Sequence, residues 1–230
     1  MLNKQISSNL QRRSKNTQEW ITRQLSDPYV KAAKYHNFRC RSAFKLIQIN
    51  EKYKIINPGN IVIDCGAAPG SWSQVAAVEC NSNQKRNKMP IGTVIGIDLL
   101  NIFPIEGVTF LNQSDFTTSE TQNKIINLLN GEKVDVVLSD MAPNASGIKS
   151  LDHEKLIEMA YNVLKFAVIN SKVNSNCLIK FWAGGRLTEI ENDMRRFYSN
   201  VKYIKPDASR SDSAEIYLLA RFFKGIKKIV

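Results

Sequence analysis

The stretch Ile61-Val-Ile-Asp-Cys-Gly-Ala-Ala-Pro-Gly-Ser-Trp72 decides the fold: three apolar residues, an acid, a turn of small residues and the start of a helix. Ile61, Val62 and Ile63 suit a parallel strand, which is buried on both faces and so reads as an unbroken apolar run. Gly66 and Gly70 let the backbone turn sharply and approach a ligand with no Cβ in the way. A strand that feeds a helix through such a turn is the ligand-binding corner of a doubly wound α/β sheet. The glycines do not follow the Gly-x-Gly-x-x-Gly order, and Pro69 removes a backbone N–H that would cradle a pyrophosphate. An adenosine cofactor without phosphates therefore fits better than a dinucleotide, and S-adenosylmethionine is the candidate.

Outward from this loop, strands and helices alternate. A helix is expected from Ser42, read as its N-cap, through Phe44, Leu46, Ile47, Ile49 and Tyr53, ending before Pro58-Gly59 and placing Lys45 in the first turn. Strands follow near Val94–Asp98 and Val108–Leu111, a helix near Glu120–Leu129 and a strand over Val134–Ser139, with an extended polar loop over Asn81–Gly92. The helical spacing of Leu156, Met159, Ala160, Val163, Leu164 and Ala167, after the candidate caps Ser150 and Asp152, predicts another helix. Cys177–Trp182 reads as a buried strand, Thr188–Tyr198 as a helix and Glu215–Phe223 as a last strand. This alternation predicts a doubly wound sheet, whose ligands collect beyond the carboxyl ends of the strands.

Polar residues fall at those ends. Asp64 and Asp98 close the first two strands, Asp115 follows the third, Asp140 closes the fourth, and Lys180 lies inside Leu178-Ile-Lys-Phe-Trp182. Asp98 suits a carboxylate that accepts from both hydroxyls of a ribose. A lysine inside a buried strand is costly unless it meets an acid or faces a cleft, and Asp140 sits on the neighbouring strand end. Such a pair can serve as an acid–base unit. Asp140-Met-Ala-Pro143 lacks the Pro-Pro-aromatic turn that holds a base for amino-group methylation, and no cysteine stands in the Pro-Cys context of a cytosine nucleophile. A ribose hydroxyl, a poor nucleophile needing a proton acceptor and alignment, fits the residues better.

At 230 residues, 43% hydrophobic and 23% charged, the chain has material for one good core. Its net charge of +11 favours nucleic acid ahead of an anionic membrane surface, because clustered Lys and Arg release counterions from a phosphate backbone. From Arg23 to Lys45, basic Lys31, Lys34, Arg39 and Arg41 alternate with Tyr29, Tyr35, His36 and Phe38, so cations can hold phosphates while rings stack on bases. No apolar run of about 18 residues is present, so no membrane insertion is expected. Cys40, Cys65, Cys80 and Cys177 form no Cys-x-x-Cys pair, which disfavours a zinc knuckle and a disulfide framework. Residues 1–18 hold Lys4, Arg12, Arg13 and Lys15 and no acid, a composition shared by an import presequence and a disordered RNA-binding arm; residues 19–230 are expected to form one domain.

From about Asp27 to Phe223 the chain resembles the FtsJ-type ribosomal RNA ribose 2′-O-methyltransferases. The resemblance is carried by Arg41-Ser-Ala-Phe-Lys45-Leu, by Asp64 to Gln74, by Gly96-Ile-Asp98-Leu-Leu, by Leu138-Ser-Asp140-Met-Ala-Pro-Asn and by Lys205-Pro-Asp to Glu215-Ile-Tyr. It implies a Rossmann-like class I S-adenosylmethionine-dependent methyltransferase fold, with a mostly parallel sheet and an antiparallel C-terminal strand. The family's Lys-Asp-Lys-Glu tetrad falls on Lys45, Asp140, Lys180 and Glu215, with Lys180 taking or weakening the 2′-OH proton, Asp140 orienting it, and Lys45 with Glu215 positioning the ribose. Its cofactor contacts fall on Gly70 and Trp72, with Pro69 and Ser71 beside them, on Asp98 for the ribose, on Asp115 and Phe116 for the adenine, and on Asp140; no metal is implied. Asp27-Pro-Tyr-Val-Lys-Ala-Ala-Lys34, the cysteine of Asp64-Cys-Gly-Ala, and Asn101-Ile-Phe-Pro-Ile-Glu-Gly107 resemble the mitochondrial branch, which methylates a uridine in large-subunit ribosomal RNA. A monomer acting in the mitochondrion on ribosomal RNA or a large-subunit precursor is thereby expected. A bacterial-type ribosomal RNA enzyme, a cytosolic transfer RNA enzyme and an RNA-binding assembly factor with dispensable catalysis are the alternatives.

Overall fold

Residues 61–63 open β1 (Ile61–Cys65), which lies between β2 (Thr93–Ile97) and β4 (Val134–Ser139) and runs parallel to both. The computed structural model describes residues 14–184 and 187–226. β3 (Val108–Leu111) extends the sheet beyond β2; β5 (Ser171–Trp182), β7 (Glu215–Phe223) and β6 (Tyr198–Ile204) extend it beyond β4. The order is β3-β2-β1-β4-β5-β7-β6, with β7 antiparallel to both neighbours. Strand order reverses between β1 and β4, the crevice at which open α/β sheets bind ligands.

Because successive strand residues face opposite sides, each central strand feeds two cores. Val62, Val94, Val136, Leu138, Leu178 and Leu219 pack against α3 (Ala43–Tyr53) and α4 (Ser71–Glu79). Ile63, Ile95, Val137, Ile179 and Leu218 pack on the other face, against α5 (Ser119–Leu129), α6 (Lys149–Asn170) and α7 (Leu187–Phe197). Two helices precede these layers, α1 (Lys15–Ser26) and α2 (Pro28–Tyr35). Asp27 separates them: its carboxylate accepts from the Tyr29 N–H at 2.9 Å, with Pro28 supplying a preset φ at the first helical position.

Several boundaries differ from the sequence reading. Of the basic leader, residues 1–13 lie outside the described residues, and Lys15 already opens α1. The helix expected to run to Tyr198 stops at Phe197, and Tyr198 begins β6 with no loop between. That strand escapes pattern reading because its buried residues, Tyr198, Val201 and Ile204, recur every third position rather than every second. α6 starts at Lys149, ahead of both expected caps, and Asp152 instead accepts from the Ser146 N–H at 2.8 Å. Ser42 precedes α3 but its hydroxyl makes no capping bond.

Gly96 in β2 has no space for a side chain: a Cβ there would lie 2.6 Å from the Phe110 ring and 3.1 Å from Ser73 Oγ. Gly96→Ala should overpack the β2–β3–α4 contact and destabilise the fold by roughly 1–3 kcal/mol, read from denaturant unfolding.

Candidate active site

Strand parity brings the catalytic candidates to one face. Lys180 stands opposite Tyr217 across the β5–β7 pair, and Glu215, two residues before Tyr217, points the same way. That face is the one covered by α3, whose first turn carries Lys45. Asp140 follows β4, with its N–H bonded to the Cys65 carbonyl at the end of β1.

There Lys45 Nζ meets Glu215 Oε2 at 2.6 Å, and Lys180 Nζ meets Asp140 Oδ1 at 3.2 Å while donating to the Asp140 backbone carbonyl. Both lysines are less than a tenth exposed, a placement stable only because each ammonium has a carboxylate partner. The Tyr217 hydroxyl donates to Asp140 Oδ1 at 2.9 Å, the Ser42 hydroxyl to Asp140 Oδ2 at 2.9 Å, and the Ser209 hydroxyl to Glu215 Oε1 at 2.7 Å. Lys45 Nζ also lies 5.9 Å from the centre of the Tyr217 ring, so both ion pairs adjoin one phenol. Burial pushes the Asp140 carboxyl up, but Lys180, Lys45 and the hydroxyls of Tyr217 and Ser42 outweigh it and hold it below the usual carboxylate range. Burial, then the charges of Asp140 and Glu215, drive the Tyr217 phenol far up, so it remains a donor. Tyr217 and Ser209 were given no role in the sequence, and Ser42 was read only as a helix cap. Tyr217 had a signal, since the second residue after Glu215 in a strand shares its face.

Asp140 also forms part of the wall of a cavity of about 390 Å³ at the β1/β4 switch point, within the usual 300–1,000 Å³ of small-molecule sites. Gly66, Ala68, Asp98, Asp115 and Phe116 line it as well. Gly66 has φ +78°, and a Cβ there would run into Met141. Asp98 accepts from the Ala68 N–H at 2.9 Å and the Leu100 N–H at 2.8 Å, leaving a lone pair on each oxygen. Asp115 is turned by Thr117, whose N–H and hydroxyl donate to its Oδ1 at 2.9 and 2.7 Å. Phe116 is buried edge-on to Phe166.

Pro69, Gly70, Ser71 and Trp72 are not among the lining residues. The Pro69 carbonyl accepts from Arg39, and Gly70, at φ +111°, turns the chain into α4. The Ser71 hydroxyl lies 2.9 Å from Cys40 Sγ. Trp72 is buried against the Tyr217 ring and donates its Nε1–H to the Ser42 carbonyl at 2.9 Å. Asp64 does not face the crevice. It is wholly buried, accepts from the Ser73 hydroxyl at 2.6 Å, and its second oxygen has no partner.

A family model described as FtsJ-like methyltransferase matches residues 38–223. The chain belongs to the FtsJ-like methyltransferase family. It is 50% identical to rRNA methyltransferase 2, mitochondrial, of Drosophila melanogaster, over 96% of this chain and 89% of that one. It is 42% identical to the ribosomal RNA large subunit methyltransferase E of Rickettsia akari, over 91% and 90%. A crystal structure of a ribosomal RNA methyltransferase from Plasmodium falciparum superposes with a TM-score of 0.70 at 26% identity, covering 82% of this chain and all of that one. FtsJ-like methyltransferases take their methyl group from S-adenosylmethionine. The cavity wall suits this donor: it carries three carboxylates, Asp98, Asp115 and Asp140, and no Lys or Arg, which favours a cationic sulfonium and disfavours a pyrophosphate.

Two outcomes are expected of these buried charges. Lys45→Met leaves the Glu215 carboxylate buried without its cation and should cost roughly 3–5 kcal/mol, whereas Lys45→Met with Glu215→Gln should recover a large part of the loss in the same unfolding assay. Burial, with Asp140 and Asp98 adding to it and the Ser73 bond opposing, raises the Asp64 carboxyl from 3.8 to about 7. Its contribution to stability is thus complete below pH 3.8 and is lost as pH rises through 7, by up to roughly 4 kcal/mol. Urea titrations at several pH values should show wild type losing stability over that window relative to Asp64→Asn.

Proposed function

We propose that this FtsJ-like enzyme methylates the 2′-hydroxyl of a uridine in mitochondrial large-subunit ribosomal RNA, as a monomer in the mitochondrion. The observation that carries the reading is that Asp140 borders the acidic cavity on one side and Lys180 on the other, with the Lys45–Glu215 pair next to them. The names of the fly and rickettsial relatives support ribosomal RNA as the substrate, and the fly name supports the mitochondrion. The net charge of +11 supports a polyanion. Residues 1–18, as presequence or RNA-binding arm, and a catalytic domain over 19–230 complete the assignment.

When bound, the cofactor supplies an electrophilic methyl carbon. The protein's part is to orient the ribose and relieve its hydroxyl of a proton. Lys180 takes that proton on its amine lone pair and becomes the ammonium, or, already an ammonium, it weakens the O–H by donating to the oxygen as negative charge builds there. Asp140, held on both oxygens by Tyr217 and Ser42, fixes the direction of the Lys180 ammonium and carries the charge that balances it. Lys45 and Glu215, one donor and one acceptor locked 2.6 Å apart, hold the ribose hydroxyls in line with the cavity. Asp98 takes the cofactor ribose, Asp115 and Phe116 the adenine, and the Pro69–Trp72 turn supports them from behind.

A tritium-transfer assay on large-subunit ribosomal RNA tests this, with 2′-O-methylation read as resistance of one phosphodiester to alkali. Lys180→Ala should lose on the order of 10²- to 10⁴-fold in kcat and keep its cofactor affinity. Equal incorporation by wild type and variant refutes the role of Lys180; no incorporation by wild type favours the assembly-factor alternative.

A further inference from the structure

β2 and β3 are joined without a helix, by a loop over residues 98–107 that turns three large apolar side chains to water: Leu99 at 62%, Leu100 at 65% and Phe103 at 84% exposure. Leu99 and Leu100 form part of the cofactor-cavity wall. Phe103 does not, so its ring stands outside that cavity, on the same loop.

The ring is exposed, but the backbone that carries it is fixed on both sides. Ile102 is buried; its N–H donates to Asn112 Oδ1 at 3.0 Å and its carbonyl accepts from Asn112 Nδ2 at 3.3 Å, just past the carboxyl end of β3. Pro104 has a preset φ, and its carbonyl accepts from Arg39 at 3.0 Å. Ile102 and Ile105 both press on the turn into α4, where a Cβ added at Gly70 would lie 3.3 Å from one and 2.7 Å from the other. Glu106 pairs with Lys85 at 2.7 Å. Among the described residues no other ring and no cation packs on Phe103. An aromatic side chain with two rotatable bonds on an anchored backbone loses little entropy when a ligand covers it.

The surroundings decide what covers it. Arg39 is held by the neutral carbonyls of Pro69 and Pro104, so a full positive charge sits beside the loop, in a chain of net charge +11. An open ring next to cations is the arrangement on which unpaired nucleic-acid bases stack. Three side chains fall far short of the roughly 800 Å² per partner that a standard protein interface buries, whereas one base covers one ring. The rings of the basic N-terminal segment are mostly spent on each other: Tyr29, Phe44 and Phe38 pack in a row with centroids 5.5 and 5.7 Å apart.

Distance from the reaction follows from the sheet. The tetrad lies around β5 and β7, and Phe103 follows β2; the order β2-β1-β4-β5 puts three strand spacings, about 15 Å, between the ring and Lys180. That is farther than a base lies from its own ribose. Resting on the proposed methylation of RNA, the geometry points to a base-stacking site: Phe103 takes an unpaired base of the substrate RNA other than the methylated one, and the strand crosses the mouth of the cofactor cavity between the ring and the tetrad. Every base has a π-face, so the contact fixes the path of the strand and reads no sequence, and it requires RNA that is single-stranded over this span.

The test compares wild type with Phe103→Ala, Phe103→Trp and, in the last turn of α6, the exposed Ile169→Ala. Fluorescence anisotropy with a single-stranded fragment of large-subunit ribosomal RNA is recorded over a series of KCl concentrations, and cofactor binding is measured by calorimetry. Phe103→Ala should weaken RNA binding about fivefold to a hundredfold at about 0.1 M salt and leave the slope of log K against log salt unchanged, because a stacked base is lost and no phosphate contact. Phe103→Trp should bind as wild type does, and the fragment should quench its added indole emission. Cofactor affinity and the unfolding midpoint should be the same in all four proteins, since the Phe103 ring supports nothing else. RNA affinity of Phe103→Ala equal to that of wild type, a loss matched by Ile169→Ala, a salt slope that falls with the affinity, or a loss of cofactor affinity overturns the proposal. Failure of the methylation reading would show separately, as wild-type protein that binds the fragment more tightly than Phe103→Ala and transfers no methyl group to it.

Discussion

Two lysines have been taken out of water in this protein, and most of the architecture around the site follows from the need to neutralise them. Lys45 comes from α3 near the N terminus and its partner Glu215 from β7, 170 residues later; Lys180 comes from β5 and Asp140 from the adjacent strand end. An unpaired ammonium at these depths would cost several kcal/mol, so neither half of the chain can settle without the other. The antiparallel insertion of β7 between β5 and β6 is what delivers Glu215 and Tyr217 to the same face as Lys180. Tyr217 then joins the two pairs through its hydroxyl on Asp140 and its ring beneath Lys45.

The loop after β1 divides its labour. Gly66 and Ala68 border the acidic cavity, while Pro69 to Trp72 face away and hold other parts of the protein to it: Arg39 through the Pro69 carbonyl, Cys40 through Ser71, and Ser42 through the Trp72 indole. The same few residues thus connect the cofactor side of the sheet to the basic N-terminal segment. Ser42 is the pivot, accepting from Trp72 through its carbonyl and donating to Asp140 through its hydroxyl. Asp64 lies beneath the loop with one oxygen unpartnered, a carboxyl kept partly protonated near neutrality by burial and by the two acids of the crevice.

The fold was legible wherever local pattern and burial coincide. An unbroken apolar run gave away β1, and short runs rich in Val, Ile and Leu gave away β2 and β4, since parallel strands are covered on both faces. Helical spacing marked α6 even though its start was displaced. β6 was invisible because it lies at the sheet edge with buried residues three apart, which matches neither the alternation of a strand nor a helical stripe. Ser42 looked like an ordinary cap, but a hydroxyl beside a buried carboxylate gains more by bonding a charge than a backbone N–H.

What the sequence determined by itself is the chemistry on offer: an adenosine-type loop that rejects pyrophosphate, acids at successive strand ends, a lysine where only a paired lysine is tolerable, and a basic entry segment. Those follow from short-range rules of backbone sterics, strand parity and charge burial. Only the tertiary structure decided which charges meet, that Ser42, Ser209 and Tyr217 hold them, and that the aromatic residues of the basic segment mostly pack on one another while Phe103 stands in water. Such outcomes depend on distances between residues far apart in the chain, and those are set by the packing of helices on a sheet rather than by any local run of amino acids.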